Sequence, residues 1–321
     1  MRLPGFLSSA LCLLLVALVT ACGRADAPPA RTDAPPEAAD APPVRRMVEV
    51  GGGSMQVEAA GLRERKPGQA VVVLESGAGT PLENWGDLLG AVARFAPVVA
   101  YDRRGLGRSD WDGVPPTPEH SVAVLRELLD TLDVPPPYVL VGHSWGGALV
   151  RYFAGRHPGD VVGLVYIDPL DLAQTDDDHA RILEQIGAPA SALAAFEALM
   201  DPARMDEVPT PVRAESEAIR ALLNGDVAGR GIPAPPPIPT AMLLADATWS
   251  KPPPGLAQAV DMQAFAAAWQ AMRIARMRRW LPASPPSVFT VVDDAGHFVH
   301  RDAPEVVIGA IRRVVLQPGN P

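Results

Sequence analysis

Directly after the apolar run Tyr138-Val139-Leu140-Val141, the chain reads Gly142-His143-Ser144-Trp145-Gly146-Gly147 and continues into helix-forming residues 148–155. Strand, glycine-bracketed serine, helix is the order that a nucleophile elbow needs. A serine on so sharp a turn takes a strained backbone, so the positions two before and two after it must be small. Gly142 and Gly146 meet that demand, and Gly147 lets the following helix pack close. The stretch therefore commits this part of the chain to a strand–turn–helix unit and nominates Ser144 as a nucleophile. The remaining residues must then supply a base, an acid and two oxyanion donors.

The flanking sequence has the rhythm such a unit requires. Residues 44–50 and 54–60 read as strands around Gly51-Gly52-Gly53. Residues 70–75, 97–101, 138–142 and 161–167 are short continuous apolar runs, as expected of strands buried on both faces of a parallel sheet. Helical spacing falls between them at 84–95, 118–133 and 145–157. Strands alternating with helices predict an α/β fold, a mostly parallel central sheet flanked by helices with right-handed crossovers. The rhythm breaks after Asp168. Residues 180–186, 191–200 and 212–223 are helical in pattern, and the stretch closes on Ile232-Pro233-Ala234-Pro235-Pro236-Pro237-Ile238-Pro239. A stretch this long reads better as an inserted helical cap than as a loop. Strands at 240–245 and 288–292 and helices at about 256–280 and 304–316 complete the domain. The expected division is a core of residues 44–169 and 239–317 with a cap of 170–238.

With 321 residues, 48% of them hydrophobic, the chain can bury a large core. A net charge of −9 without a basic block argues against a nucleic-acid surface. The N-terminus has the plan of an export signal: Arg2, an apolar run over residues 11–19, then the small Thr20 and Ala21. That run is shorter than the roughly 20 apolar residues of a membrane span. Val19-Thr20-Ala21-Cys22 resembles a bacterial lipobox, which implies removal of residues 1–21 and lipid attachment at Cys22, hence a membrane anchor facing the periplasm or cell exterior. An ordinary secretory signal is the alternative. Residues 22–43 are almost entirely Ala, Pro, Asp, Arg and Glu, a tether that cannot bury enough apolar surface to order itself. Cys12 lies in the apolar run, so a processed chain keeps only Cys22 and no internal disulfide.

The base is expected beyond the last strand, where His297 stands in Asp293-Asp294-Ala295-Gly296-His297-Phe298. His143 is the variable residue of the elbow, and His120, His157, His179 and His300 carry plainer structural readings. Two carboxylates compete for the acid. Asp246 follows strand 240–245 but falls early, with Thr248 where the carboxylate is usually found. Asp168 ends strand 161–167, on the edge of the sheet that holds the elbow, and a carboxylate there can reach the imidazole Nδ1–H. Asp168 is the favoured acid and Asp246 the alternative. The oxyanion donors are expected to be the backbone N–H groups of Trp145 and of Ala78, in the turn Ser76-Gly77-Ala78-Gly79. No cofactor or metal is expected, since no His/Cys/Asp cluster has ligand spacing.

With these residues in place, the chain resembles the α/β-hydrolase superfamily over residues 45–317. The matching motifs are Glu75-Ser76-Gly77-Ala78-Gly79, the turn from Tyr101 to Asp110, the elbow, and Gly296-His297-Phe298. The resemblance implies a serine hydrolase acting on a small or medium ester through an acyl-enzyme. Ser76-Gly77 replaces the usual His-Gly, which leaves the backbone donor intact. Haloalkane dehalogenases of the superfamily use an aspartate nucleophile, so Ser144 argues against that activity. An acid after the sixth strand is a minority arrangement there. A peptidase or amidase like the proline aminopeptidases, a perhydrolase, and a catalytically silent surface binding module are the other readings. Trp145, Trp85 and Phe298 are candidate pocket-lining or core aromatics.

Overall fold

The computed structural model describes residues 42–317 apart from 176, 200–207, 225–230, 248–257, 259 and 283–285. The export signal, Cys22, nearly all of the tether, and Thr248 lie outside the described residues.

Eight strands form one sheet: β1 (Val44–Val50), β2 (Gly53–Ala60), β3 (Val71–Glu75), β4 (Val98–Tyr101), β5 (Tyr138–His143), β6 (Val161–Ile167), β7 (Thr240–Ala245) and β8 (Ser287–Val292). Their spatial order is β1-β2-β4-β3-β5-β6-β7-β8. β1 and β2 form an antiparallel hairpin, β2 pairs antiparallel with β4, and β3 through β8 run parallel. β3 lies between β4 and β5: the chain steps from β3 back to β4 and then crosses β3 to reach β5, so the direction of progression reverses there. The crevice at such a switch point, beyond the carboxyl ends of the strands, is where open α/β sheets bind ligands.

The alternation of side chains along each strand explains why the apolar runs are continuous. Val72, Leu74, Val139, Val141, Val165 and Ile167 face helices α1 (Leu88–Ala93) and α9 (Pro304–Val315). Their neighbours Val71, Val73, Leu140, Leu164 and Tyr166 face α2 (Pro118–Thr131) and α3 (Trp145–Arg156). Both faces are covered, so neither parity of the strand can be polar.

Local chemistry sets the helix ends. The Thr117 side chain accepts the His120 N–H at 3.3 Å and Pro118 opens α2, while Asp133 at φ +55° lies beyond its end. The single helix expected over 84–95 is instead a 3₁₀ turn, Leu82–Trp85, and the short α1. Gly86 between them has φ +52°, a conformation that no continuing helix accommodates.

Between β6 and β7 lie α4 (Asp177–Gln185), α5 (Ala190–Leu199) and α6 (Thr210–Asn224), with no strand among the described residues. α4 packs on α5 and on α7 (Met262–Met277), and Ile182, Leu183, Ala192, Phe265 and Trp269 form a small core of their own. Of the helix expected at about 256–280, residues 256, 257 and 259 lie outside the described residues, and α7 covers Met262–Met277. Asp261 caps it by accepting the Gln263 and Ala264 N–H groups, each at 3.1 Å. α8 (Val299–Asp302) connects the β8 loop to α9.

Candidate active site

Ser144 joins β5 to α3 at φ +53°, ψ −118°, outside the conformations a serine ordinarily adopts. Hydrogen bonds hold it there. Its N–H donates to Ile167 O at 3.1 Å, and its carbonyl accepts the N–H groups of Gly147 at 2.9 Å and Leu170 at 3.0 Å. The bracketing glycines are sterically required. A Cβ on Gly142 would lie 2.5 Å from Gly146 O, one on Gly146 would run into Glu75 O, and one on Gly147 would sit 2.6 Å from Pro169 Cβ.

His297 follows β8, and its Nδ1 lies 2.6 Å from Asp168 Oδ2. Asp168 stands just past β6, buried, at φ +41°. Its other oxygen, Oδ1, accepts the Ala245 N–H at 3.0 Å and pairs with Arg273 Nη2 at 3.0 Å. Burial alone would raise this carboxyl, but Arg273, the His297 hydrogen bond and the Ala245 amide outweigh it and hold it below the usual carboxylate range. An ionised carboxylate only accepts, so Nδ1 carries a proton, which selects the tautomer of the neutral ring whose lone pair is on Nε2. Asp246 is exposed. Partial burial and then its neighbours Asp293 and Asp294 push its carboxyl up, and no hydrogen bond joins it to His297. The structure therefore brings Asp168, not Asp246, to the imidazole. Ser144 Oγ and His297 Nε2 are both buried without a hydrogen-bond partner, and such bonds are often open in an unliganded site.

The turn after β3 lies against the elbow. A Cβ on Gly77 would be 3.3 Å from Ser144 Cβ and 2.8 Å from His143 Nδ1. The Thr80 N–H and hydroxyl both donate to Gly77 O, at 3.3 and 2.8 Å, which closes the turn around Ala78. Ala78 and Trp145 are buried together with Ala148, Leu149, Leu170 and Ile219. Trp85 packs among the α1 side chains with its ring 4.7 Å from that of His300, and Phe298 is buried beside His143. All three candidate aromatics are thus core residues.

Several residues of the site carry no local signal in the sequence. His143 Nε2 donates to the His297 carbonyl at 2.9 Å, so the variable residue of the elbow braces the loop that holds the base. Burial, then His297 and His300, hold the His143 ring well below the usual histidine range, which keeps it neutral. His300 is pushed down to about 3 by burial, with His297 and Arg301 adding to it. Arg273 comes from α7, a helix recognisable from its spacing although its pairing with Asp168 is not. Arg103 and Glu75 lie in motifs matched on sequence, but their partner Glu215 comes from α6. Arg103 Nη1 pairs with Glu75 Oε1 at 2.7 Å and Arg103 Nε with Glu215 Oε1 at 2.6 Å, all three buried. Burial raises the Glu75 carboxyl by more than Arg103 and the Tyr101 hydroxyl lower it.

A strained serine elbow, an imidazole beyond the last strand and a carboxylate on the same sheet edge define a class. A model of the alpha/beta hydrolase family matches residues 71–310, and the chain belongs to that family. It is 35% identical over 98 residues to YqjL, an uncharacterised protein of Bacillus subtilis, a match covering 30% of this chain and 39% of that protein. Lipase LipV of Mycobacterium tuberculosis is 38% identical over 92 residues, covering 29% of this chain and 33% of the lipase. The chain spans well under half the length of the curated relatives it matches. Among solved structures, the enol-lactonase of Burkholderia xenovorans superposes with a TM-score of 0.55 at 17% identity, over 85% of this chain and 100% of that one. At that identity the likeness is one of fold.

Proposed function

We propose that the protein is a serine hydrolase that cleaves a small or medium carboxylic ester through an acyl-enzyme. The observation that carries the proposal is the 2.6 Å His297–Asp168 pair, set on the sheet edge that holds the strained Ser144. In this mechanism Ser144 Oγ attacks the ester carbonyl carbon and its proton passes to His297 Nε2. Asp168 stabilises the imidazolium, and the Ala78 and Trp145 N–H groups stabilise the oxyanion. Collapse breaks the bond to the alkoxy oxygen, which leaves with the Nε2 proton. Water then attacks the acyl–Ser144 carbonyl, giving its proton to Nε2, and the carboxylic acid departs as that proton returns to Ser144 Oγ.

An ester is favoured over an aminoacyl substrate because Glu75 and Glu215, the carboxylates beside the oxyanion turn, are both engaged by Arg103. Neither is free to hold a substrate amine. The proposal includes residues 170–238 as a cap over the sheet edge, and export with a lipid on Cys22, supported by the sequence Val19-Thr20-Ala21-Cys22.

A fluorophosphonate probe tests the central claim: it should label the folded protein and fail to label Ser144→Ala. Absence of labelling on well-folded wild type would overturn the hydrolase and favour a non-catalytic binding module. Turnover of nitrophenyl esters of increasing chain length, set beside aminoacyl nitroanilides, separates esterase from peptidase.

A further inference from the structure

We propose that Glu215, on α6 and far from Ser144 in sequence, is a positioning residue that fixes both peptide planes around the oxyanion donor Ala78. This rests on the reading of Ser144 and His297 as a hydrolytic pair.

The Ala78 N–H belongs to the same peptide unit as the Gly77 carbonyl. In a planar trans peptide the two point in opposite directions, so whatever holds the carbonyl aims the N–H. Arg103 Nη2 donates to Gly77 O at 2.6 Å, and Arg103 Nη1 donates to the preceding carbonyl, Ser76 O, at 2.6 Å. Glu215 in turn holds Arg103: Nε donates to Oε1 at 2.6 Å and Nη2 to Oε2 at 3.1 Å, a two-pronged contact that sets the plane of the guanidinium. Oε2 also accepts the Gly79 N–H at 2.7 Å, which fixes the peptide on the other side of Ala78. Thr80 also donates to Gly77 O, so Glu215, through Arg103, acts alongside Thr80 on the unit that carries the donor and directly holds the unit that follows it. Donation from a cation to Gly77 O also polarises that peptide and strengthens its N–H as a donor.

The seating of α6 explains how a carboxylate reaches this depth. Glu215, Ser216 and Ile219 form its buried face. A Cβ on Gly79 would lie 2.8 Å from Val212 Cγ1, and one on Gly105 would run into Pro211, so two glycines leave room for the helix to descend. Glu215 is 1% exposed, and a charge so buried is tolerated because Arg103 and the Gly79 N–H both meet it. The oxyanion turn, built on β3 and β4, is thereby completed by a helix from the segment between β6 and β7. Formation of the donor geometry is coupled to docking of that helix.

The variants Glu215→Gln and Arg103→Lys test this. Glutamine keeps the shape but replaces one acceptor oxygen with a donor. Lysine keeps the charge but cannot grip the Ser76 and Gly77 carbonyls together. Loss of a whole oxyanion donor costs about 10²–10³ in rate, so a misaimed one should lower kcat by roughly 10- to 100-fold with KM changed little. Affinity for an alkyl boronic acid, whose serine adduct is tetrahedral, should fall by the same factor as kcat/KM. A merely structural residue would not tie these two losses together. Glu215→Leu should be worse than Glu215→Gln. Amide hydrogen exchange over residues 76–80 should quicken in Glu215→Gln relative to wild type. The inference is overturned if folded Glu215→Gln and Arg103→Lys keep wild-type kcat, or raise KM alone, or leave exchange of the turn unchanged. Exchange is read without turnover. If wild type fails to react with a fluorophosphonate, the hydrolase reading falls while exchange still decides whether Glu215 holds the turn.

Discussion

Replacing Asp168 by asparagine should remove most of the activity, and the hydrogen bonds around the carboxylate say how. Two donors, the Ala245 N–H and Arg273 Nη2, converge on Oδ1, each at 3.0 Å. The asparagine oxygen must take that position, which turns its NH₂ toward His297 Nδ1. An imidazole facing a donor there accepts through Nδ1 and carries its proton on Nε2, the wrong tautomer to receive the Ser144 proton. In a triad, that tautomer exchange costs about 10⁴ in kcat, or ~5.5 kcal/mol of barrier. The accompanying stability loss should be smaller, about 3 kcal/mol. That is the low end for breaking a buried ion pair, because Asn Oδ1 still accepts from Arg273. Asp246→Asn should change kcat by less than about twofold, since Asp246 is exposed and makes no hydrogen bond to His297. The assay is nitrophenyl ester turnover normalised to fluorophosphonate-titrated sites, with urea unfolding alongside. A larger loss in Asp246→Asn, or retention of near-wild-type kcat by folded Asp168→Asn, would refute the reasoning.

Gly146→Ala should abolish labelling of Ser144 or prevent folding, because its Cβ would run into the backbone oxygen of Glu75; soluble yield and probe labelling check this. Stability should fall as pH drops from about 6.5 toward 3, because unfolded histidines protonate near 6.5 while folded His300 resists to about 3. The unfolded state binds the extra proton, which gives a slope of about 1.4 kcal/mol per pH unit for each such histidine. Urea unfolding across that range should show a shallower slope for His300→Gln. Arg273→Met should move acid unfolding, followed by circular dichroism, to higher pH. The Asp168 carboxyl is held down in the folded protein, so its stabilisation is present above the unfolded value of about 4 and is lost as pH falls through the folded value. Without Arg273 to offset burial, that loss begins earlier. An unchanged acid midpoint would argue against the ion pair.

The fold and the strained elbow at Ser144 were legible in the sequence because their causes are local. Six consecutive residues carry the steric demands of the elbow, and continuous apolar runs announce strands covered on both faces. The break before α1 is local as well, but helical spacing over 84–95 does not reveal that Gly86 takes a positive φ. The surroundings of the imidazole were of another kind. His297 and Asp168 are 129 positions apart, and the sequence left Asp246 in contention because both carboxylates end strands on the same edge. Only the backbone turn at Asp168 and the convergence of Ala245 N–H and Arg273 on one oxygen set which carboxylate meets Nδ1. Glu215 is the extreme case. On a helix that also carries Arg213, Glu217 and Arg220 it reads as one more surface glutamate, and packing of α6 against Gly79 and Gly105 buries it on Arg103. Periodicity and turn chemistry determine which elements form. The pairing of charges across 100 or more residues is decided by how those elements pack, because burial makes an unpartnered charge too costly to keep.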